Sequence, residues 1–354
     1  MNRFWSEGLR TLKPYVPGEQ PKEGSVIKLN TNENPYPPSP RAIATIKEAA
    51  DAGLRLYPDP DASAMKTAIA RYYGVRAENV FAGNGSDEVL AVAFLAFFRN
   101  KLPLVFPDIT YSFYPVYCEL FGVPFKTFPI ADDWQIDLSR APAQNGGVLF
   151  PNPNAPTGCF TAVAEIDALL KRNADTVVLV DEAYVDFGGE SAIPLVSKYP
   201  NLLVTQTFSK SRSLAGLRAG FAVGHAELIT GMEAVKNSFN SYTMDRLAIA
   251  GAAAAMDDKE YFEKCRAAII KTREATVVTL QQLGFEVLPS KANFVFARHP
   301  RHGGQELYDA LRAKNILVRY WNKPRLADFL RITIGTDEEM ATLAAALHAI
   351  LAHR

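Results

Sequence analysis

Between residues 78 and 223 the chain carries six short apolar runs, 78–81, 102–106, 147–150, 176–180, 202–206 and 220–223, separated by spacers long enough for helices. Runs rich in Val, Leu and Phe at such intervals predict strands buried on both faces, because parallel strands need crossover helices and those helices cover the sheet. The expected architecture is therefore α/β, around a largely parallel sheet. Past Asn237 the pattern changes. Helices are expected over 245–256 and 259–283, the second stopped by Gly284, then strand-like runs at 285–288, 293–297, 316–318 and 330–334 with helices near 304–314 and 337–351. That order belongs to a smaller α+β domain. Residues 1–28 are polar, rich in Gly and Pro and without period, the composition of an arm lying over the body. At 354 residues the chain exceeds the roughly 250–300 at which a single core stops growing. The division expected is an arm over 1–28, a large domain over 29–250 and a small C-terminal domain over 251–354.

Charge and cysteine content narrow the function. Lys plus Arg number 38 and Asp plus Glu 38, for a formal charge of zero. No global field steers such a chain onto nucleic acid or an anionic membrane, so any anion site must be local. Cys118, Cys159 and Cys265 are odd in number and widely spaced, which gives neither a disulfide framework nor a zinc knuckle and suits a reducing compartment. The first 24 residues lack the apolar core of a signal peptide, and the longest apolar runs, 89–98 and 247–256, are only ten residues. A cytoplasmic protein without a membrane segment is expected. No metal site is expected either, because the histidines show no ligand spacing beyond His299 and His302.

Ligands of an open parallel sheet bind beyond the carboxyl ends of its strands. After the run ending at Phe150 stands Pro151-Asn152-Pro153-Asn154-Ala155-Pro156-Thr157-Gly158; after Val180, Asp181-Glu182-Ala183-Tyr184; after Thr207, Phe208-Ser209-Lys210. Taken singly, these are a turn, a helix cap and a chance Ser-Lys pair. On consecutive strand ends they deliver an amide, a carboxylate with a tyrosine, and a lysine to one rim. A lysine amine deprotonated by desolvation can form a Schiff base with an aldehyde cofactor. Pyridoxal phosphate is the aldehyde that needs the other groups: a carboxylate, here Asp181, to hold its ring nitrogen protonated, and a donor, here Tyr184, at its phenolic oxygen.

The phosphate of such a cofactor also needs a cradle. Gly83-Asn84-Gly85-Ser86-Asp87-Glu88 follows a strand and opens a helix, which aims backbone N–H groups and the positive end of the helix dipole at an anion. Glu88 stands where a dinucleotide fingerprint would have its third glycine, which disfavours a nicotinamide dehydrogenase. Arg218, eight residues past Lys210, suits a charge-assisted contact to the same phosphate, with Ser209 adding a hydroxyl.

With these residues in place the sequence resembles the fold-type I pyridoxal-phosphate aminotransferases (class II), and within them the histidinol-phosphate aminotransferase family, over essentially its whole length. The matching strings are Leu29-Asn30-Thr31-Asn32-Glu33-Asn34-Pro35-Tyr36, Tyr57-Pro58, Gly85-Ser86-Asp87-Glu88, the Asn152 to Gly158 segment, Asp181-Glu182-Ala183-Tyr184, Phe208-Ser209-Lys210, Leu214-Ala215-Gly216-Leu217-Arg218 and Leu330-Arg331-Ile332-Thr333-Ile334-Gly335. The resemblance implies that Lys210 is the Schiff-base lysine, Asp181 pairs with the ring nitrogen and Tyr184 touches the phenolic oxygen. It implies that Gly85, Ser86, Asp87, Ser209 and Arg218 hold the phosphate and that Tyr111 stacks on the ring. Tyr57 would reach the cofactor phosphate of a neighbouring subunit, so a homodimer is expected. Arg331 would take the α-carboxylate of glutamate, Arg319 the substrate phosphate or distal carboxylate, and Asn32 and Tyr36 would close over the substrate. One departure from the family matters: Ala155 stands immediately before Pro-Thr-Gly where an Asn is usual to hydrogen-bond the phenolic oxygen, so either Asn154, the nearest amide, takes that cofactor contact or Tyr184 acts alone.

The activity implied is transamination between a small-molecule amino donor and a 2-oxo acid, with histidinol phosphate and 2-oxoglutarate first. An aromatic aminotransferase and a threonine-phosphate decarboxylase share the same strings. A cofactor-sensing transcriptional regulator is disfavoured by the zero net charge and by the lack of a DNA-binding module ahead of the first domain.

Overall fold

The computed structural model describes residues 3–6, 8–9, 12–21 and 26–352; the remaining positions of the expected arm, 1–2, 7, 10–11 and 22–25, lie outside the described residues. In chain order the strands are β1 (Ile27–Lys28), β2 (Val80–Gly83), β3 (Leu104–Pro107), β4 (Phe125–Phe128), β5 (Val148–Pro151), β6 (Val178–Asp181), β7 (Leu202–Thr207), β8 (Gly220–Gly224), β9 (Glu286–Val287), β10 (Phe294–Arg298), β11 (Ile316–Leu317), β12 (Arg319–Tyr320) and β13 (Phe329–Thr333). The helices are α1 (Pro40–Ala49), α2 (Ser63–Tyr73), α3 (Gly85–Phe97), α4 (Tyr114–Phe121), α5 (Val163–Arg172), α6 (Ala226–Phe239), α7 (Arg246–Asp257), α8 (Lys259–Gln282), α9 (Gly304–Ala313) and α10 (Asp337–Ala352).

Seven strands form one sheet in the order β2-β8-β7-β6-β5-β3-β4. Neighbours from β7 to β4 run parallel, and β8 runs antiparallel to both β2 and β7. Alternation within the apolar runs explains why they are unbroken. Val148, Phe150, Val178 and Val180 enter one buried cluster, while Leu149, Leu179 and Leu203 enter another. Successive side chains point to opposite faces and both faces are covered, so every position is apolar. Strand β4 escapes the sequence reading because it is an edge strand: Phe125, Lys126 and Thr127 are exposed and only Phe128 is buried. A charged side chain there suits an unpaired edge.

A second, four-stranded antiparallel sheet has the order β12-β13-β10-β9 and packs with α8, α9 and α10 around a core that includes Phe187, Val295, Ile332 and Leu347. Helix α8 starts on the side chain of Asp258, which accepts from Tyr261 N, and ends before Gly284, whose φ of +88° is open to glycine without strain. Strand β1 pairs in parallel with β11, and Leu29 is buried in this second core. The chain thus reaches the C-terminal sheet before entering the seven-stranded one. The preceding segment is pinned by Glu19, which receives Arg312 Nη2 at 2.7 Å and whose carbonyl accepts from Asn30 Nδ2 at 2.9 Å. The two sheets and this segment meet at the carboxyl ends of β5, β6 and β7.

Candidate active site

A cavity of about 380 Å³ opens there, lined by Ser86, Asp87, Tyr111, Asp181, Tyr184, Ser209, Lys210 and Arg218 from the large sheet, Arg319 and Arg331 from the small one, and Tyr15 and Asn30 to Glu33 from the N-terminal segment.

At its floor lie two ionisable groups, Asp181 buried and Lys210 half-buried. Asp181 ends β6, is 4% exposed, and accepts from Tyr114 Oη at 2.8 Å and Ala183 N at 3.2 Å. Burial outweighs these two bonds and pushes its carboxyl up to about 6. No cation stands within 4 Å of it among the described residues, so a cationic group bound in the cavity would find an unspent partner. Lys210 follows β7, and its Nζ donates to the Thr31 carbonyl at 2.9 Å and lies 5.8 Å from the Tyr184 ring centre. Desolvation, followed by the nearby Arg331 charge, brings its ammonium down to about 8. A substantial fraction of a nucleophilic neutral amine is therefore present near neutrality.

Tyr184 is fixed from two sides. Its hydroxyl receives Asn32 Nδ2 at 3.0 Å, and its ring meets Phe294 edge-on at 5.1 Å. Asn32 is itself held by Thr333, to which it donates through its backbone N and from which it accepts at Oδ1. Burial raises the Tyr184 phenol above its usual range, with Arg331 opposing, so it stays a neutral donor.

The rim opposite Asp181 is built for an anion. Helix α3 begins without a side-chain cap on its backbone N–H groups, which leaves them for a ligand. A Cβ on Gly220 would lie 2.4 Å from Ser86 N, and one on Gly85, which has φ +81°, would lie 2.6 Å from Arg218 Nη2. Only glycine lets β8 and Arg218 come this close to the helix N-terminus. Arg218 holds a left-handed φ of +54°, a strain of about 1–3 kcal/mol that surrounding structure must enforce. It reaches Asp87 Oδ2 at 3.1 Å.

The structure brings together Asn32, Ser86, Asp87, Tyr111, Asp181, Tyr184, Ser209, Lys210, Arg218, Arg319 and Arg331 around the cavity, with Gly85 directly behind Arg218. Three expected residues stand elsewhere. Asn154 is wholly buried off the wall: its Nδ2 donates to Ile109 O and Thr157 Oγ1, and Ala155 occupies the wall instead. Tyr36 does not line the cavity; its phenol sits near Asp337 and Cys265, and burial there raises it. Tyr57 is 79% exposed and stacks on Tyr242 at 4.5 Å, outside this chain's own cavity. Tyr114, Thr31 and Tyr15 were not singled out from sequence. Tyr114 stands 67 residues from the carboxylate it serves, a distance no local pattern encodes.

These residues fit pyridoxal phosphate by their chemistry: an amine of lowered pKa, a buried carboxylate lacking a cation, a neutral phenol donor, and an uncapped helix N-terminus beside an arginine. Comparison with known proteins agrees. Residues 24–347 match the family described as aminotransferase class I and II. The chain is similar to histidinol-phosphate aminotransferase 2 of Dechloromonas aromatica, 59% identical over 354 residues and covering 99% of each chain. It is 58% identical to histidinol-phosphate aminotransferase 1 of Pseudomonas aeruginosa over 348 residues, 98% of this chain and 99% of the other. Among solved structures, that of histidinol-phosphate aminotransferase from Sinorhizobium meliloti in complex with pyridoxal-5'-phosphate superposes with a TM-score of 0.90 at 25% identity, over 99% of this chain and 98% of that one.

Proposed function

The chain belongs to the histidinol-phosphate aminotransferases, within the class I and II aminotransferases, and from that premise we propose that its cavity transfers the amino group between histidinol phosphate and 2-oxoglutarate, yielding imidazole acetol phosphate and glutamate. The observation that carries the reading is the pair at the cavity floor, a Lys210 amine brought down to about 8 and an Asp181 carboxylate with no cation beside it. The alternatives, an aromatic aminotransferase and a threonine-phosphate decarboxylase, are not favoured by relatives this similar over nearly the whole chain.

Bound in the cavity, pyridoxal phosphate supplies an aldehyde carbon and an electron-withdrawing ring. Asp181 would keep that ring's nitrogen protonated, aided by Tyr114, whose hydrogen bond keeps the carboxylate ionised. Tyr184 would donate to the phenolic oxygen; with Ala155 on the wall it does so without the usual asparagine, supported by Asn32. Ser86, Asp87 and Gly85 would hold the phosphate through the α3 N-terminus, with Ser209 and Arg218 contributing beside it, and Tyr111 would pack on the ring. Lys210 Nζ is the base that takes the proton from the substrate carbon bearing nitrogen. Arg331 and Arg319 would receive the substrate's anionic groups, and Asn32 would border the substrate. Tyr36 would act only by a movement of its segment.

The working unit we infer is a cytosolic homodimer in which Tyr57 reaches the neighbour's phosphate cradle. Exposed Tyr57, Tyr242, Phe239, Leu54 and Leu56 give a surface suited to a second copy. No helix among the described residues is long and apolar enough to cross a membrane, and none of their His, Cys, Asp and Glu cluster as metal ligands. We place the boundaries at a large domain over 29–250 and a small one over 251–354, with residues 27–28 of the arm pairing onto the small one through β1.

The test is Lys210→Ala with histidinol phosphate and 2-oxoglutarate. Loss of turnover together with loss of the visible absorbance of the lysine-bound cofactor is expected; full turnover would end the reading. Sedimentation of the holoenzyme, together with activity recovered by mixing inactive Tyr57→Ala and Lys210→Ala subunits, tests the shared site.

A further inference from the structure

Arg319 and Arg331 are partners directly across the β12–β13 ladder. Like charges facing each other on one sheet face repel. The usual remedy is a carboxylate between them, yet neither arginine has one within 4 Å among the described residues. Their hydrogen bonding is sparse. Arg331 donates Nη2 to Asn30 O at 2.9 Å and leaves a buried Nε without a partner, while Arg319 donates Nη2 to Val16 O at 3.2 Å.

What both approach is an indole. The centre of the Trp321 ring is 5.2 Å from the Arg331 guanidinium carbon and 5.4 Å from that of Arg319. Phe294 stands 5.2 Å from Arg331, so that guanidinium is flanked by two rings. Both arginines also line a second chamber of about 370 Å³, which shares Tyr15, Tyr111 and Ala155 with the first and adds Trp321, Lys13 and Lys323.

We propose that Trp321 is a positioning residue for substrate anions: its ring face holds the two guanidinium groups side by side and so sets the site's preference for dianionic over monoanionic substrates. The inference rests on the assignment of Arg319 and Arg331 to substrate anions. A glutamate in the place of the indole would neutralise the pair and compete with every incoming carboxylate or phosphate. An aromatic face instead supports cations through its quadrupole and spends none of their N–H donors. The paired arginines then offer unspent forks to one phosphate dianion or to the carboxylates of a dicarboxylate, groups that guanidinium planes bind two-pronged. Trp321 adjoins the two groups that would touch substrate and needs no contact of its own.

The experiment uses the holoenzyme with Trp321→Leu and Trp321→Phe, and measures kcat and KM for histidinol phosphate and for glutamate, with the inhibition constants of succinate, a dianion that does not react, and of acetate, a monoanion. Leucine stays apolar and removes the ring face, while phenylalanine keeps an aromatic face with less bulk than the indole. Loss of a partly desolvated cation–π support predicts a rise of about five- to thirtyfold in both KM values and in the succinate constant. The acetate constant should rise less, kcat should fall less than KM rises, and phenylalanine should restore at least half of the effect on a logarithmic scale. Unchanged KM values, equal losses for succinate and acetate, or a fall in kcat matched by a lower unfolding temperature with no rescue by phenylalanine would overturn the proposal. Arg319→Gln and Arg331→Gln, run alongside, separate the two layers. If neither raises a KM, the assignment of the arginines fails; if they do and Trp321→Leu does not, only the role of the indole fails.

Discussion

Replacing Asp181 by Asn should make the cofactor-free protein more stable while removing its activity. The carboxyl is 4% exposed, with two hydrogen-bond donors and no neighbouring cation among the described residues. Burial therefore holds it near 6 instead of 3.8. A raised carboxyl pKa means that the folded chain binds the proton more tightly than the unfolded one. The stability this group contributes is then full below pH 3.8 and is lost as pH rises through about 6. Above that, the ionised carboxylate destabilises the fold by about 3 kcal/mol relative to its protonated form. Asparagine carries no charge at any pH and retains both contacts, its oxygen facing Ala183 N and its amide turned to the Tyr114 oxygen. Urea unfolding of cofactor-stripped protein should place Asp181→Asn above wild type by about 3 kcal/mol at pH 8, with the gap closing towards pH 4. Saturating pyridoxal phosphate should shrink or reverse that gap, because only the wild-type carboxylate gains a protonated ring nitrogen, and a ligand stabilises the state that binds it. An asparagine variant less stable than wild type at pH 8, or a gap independent of pH, would refute the reasoning.

Other perturbations probe the same geometry. Tyr114→Phe removes a hydrogen bond to a charged acceptor, an interaction of about 1.5–3 kcal/mol, so the Asp181 carboxyl should rise above 6 and the acid limb of the activity profile should move to higher pH. Gly220→Ala places a methyl 2.4 Å from a backbone nitrogen that cannot yield cheaply; cofactor affinity, followed by absorbance titration, should fall at least about tenfold, which is about 1.4 kcal/mol. Capture of pyridoxal phosphate by cofactor-free protein requires a neutral Lys210, whose ammonium is brought down to about 8. Its stopped-flow rate should rise about tenfold per pH unit below 8 and level off above it, and a rate flat from pH 6 to 8 would contradict this assignment.

Much of this site was legible because each strand of a parallel sheet hands its next few residues to the same rim. Asp181, Tyr184, Ser209 and Lys210 were therefore placed by their positions just past the ends of two apolar runs, and Gly85 and Ser86 by a glycine turn into a helix. Pairings that close only in three dimensions were not legible. Tyr114 meets Asp181 across 67 residues, and the Thr31 carbonyl meets Lys210 across 179. Tyr36 and Asn154 illustrate a different limit. A matched string fixes which residues are present, but neighbouring side chains project in different directions, so the wall received Ala155 and the interior received Asn154. Strand β4 was missed because an edge strand has no need of an apolar run.

The fold itself marks the site through what it leaves unsatisfied. Buried polar atoms nearly always find partners, and each exception lowers stability unless something arrives to complete it. Among the described residues the side-chain exceptions are Thr110, Asn154, Thr205, Glu233, Asn293 and Arg331. Five of these six belong to the cavity or the layer behind it. Arg331 lines both chambers and Thr110 the second; Asn154 precedes Ala155 on the wall; Thr205 is the ladder partner of Asp181; Asn293 donates to the Asn32 carbonyl. Asp181 and Lys210 extend the pattern to charge, as a buried acid without a base and a half-buried base without an acid. The zero formal charge of the chain conceals this, since the signs balance over the whole sequence while Arg319, Arg331, Lys210 and Asp181 stand without an ion pair around one space. A ligand bearing a cationic ring, a phosphate and a carboxylate would relieve these defects together, so the features that weaken the empty fold are the ones that bind and activate.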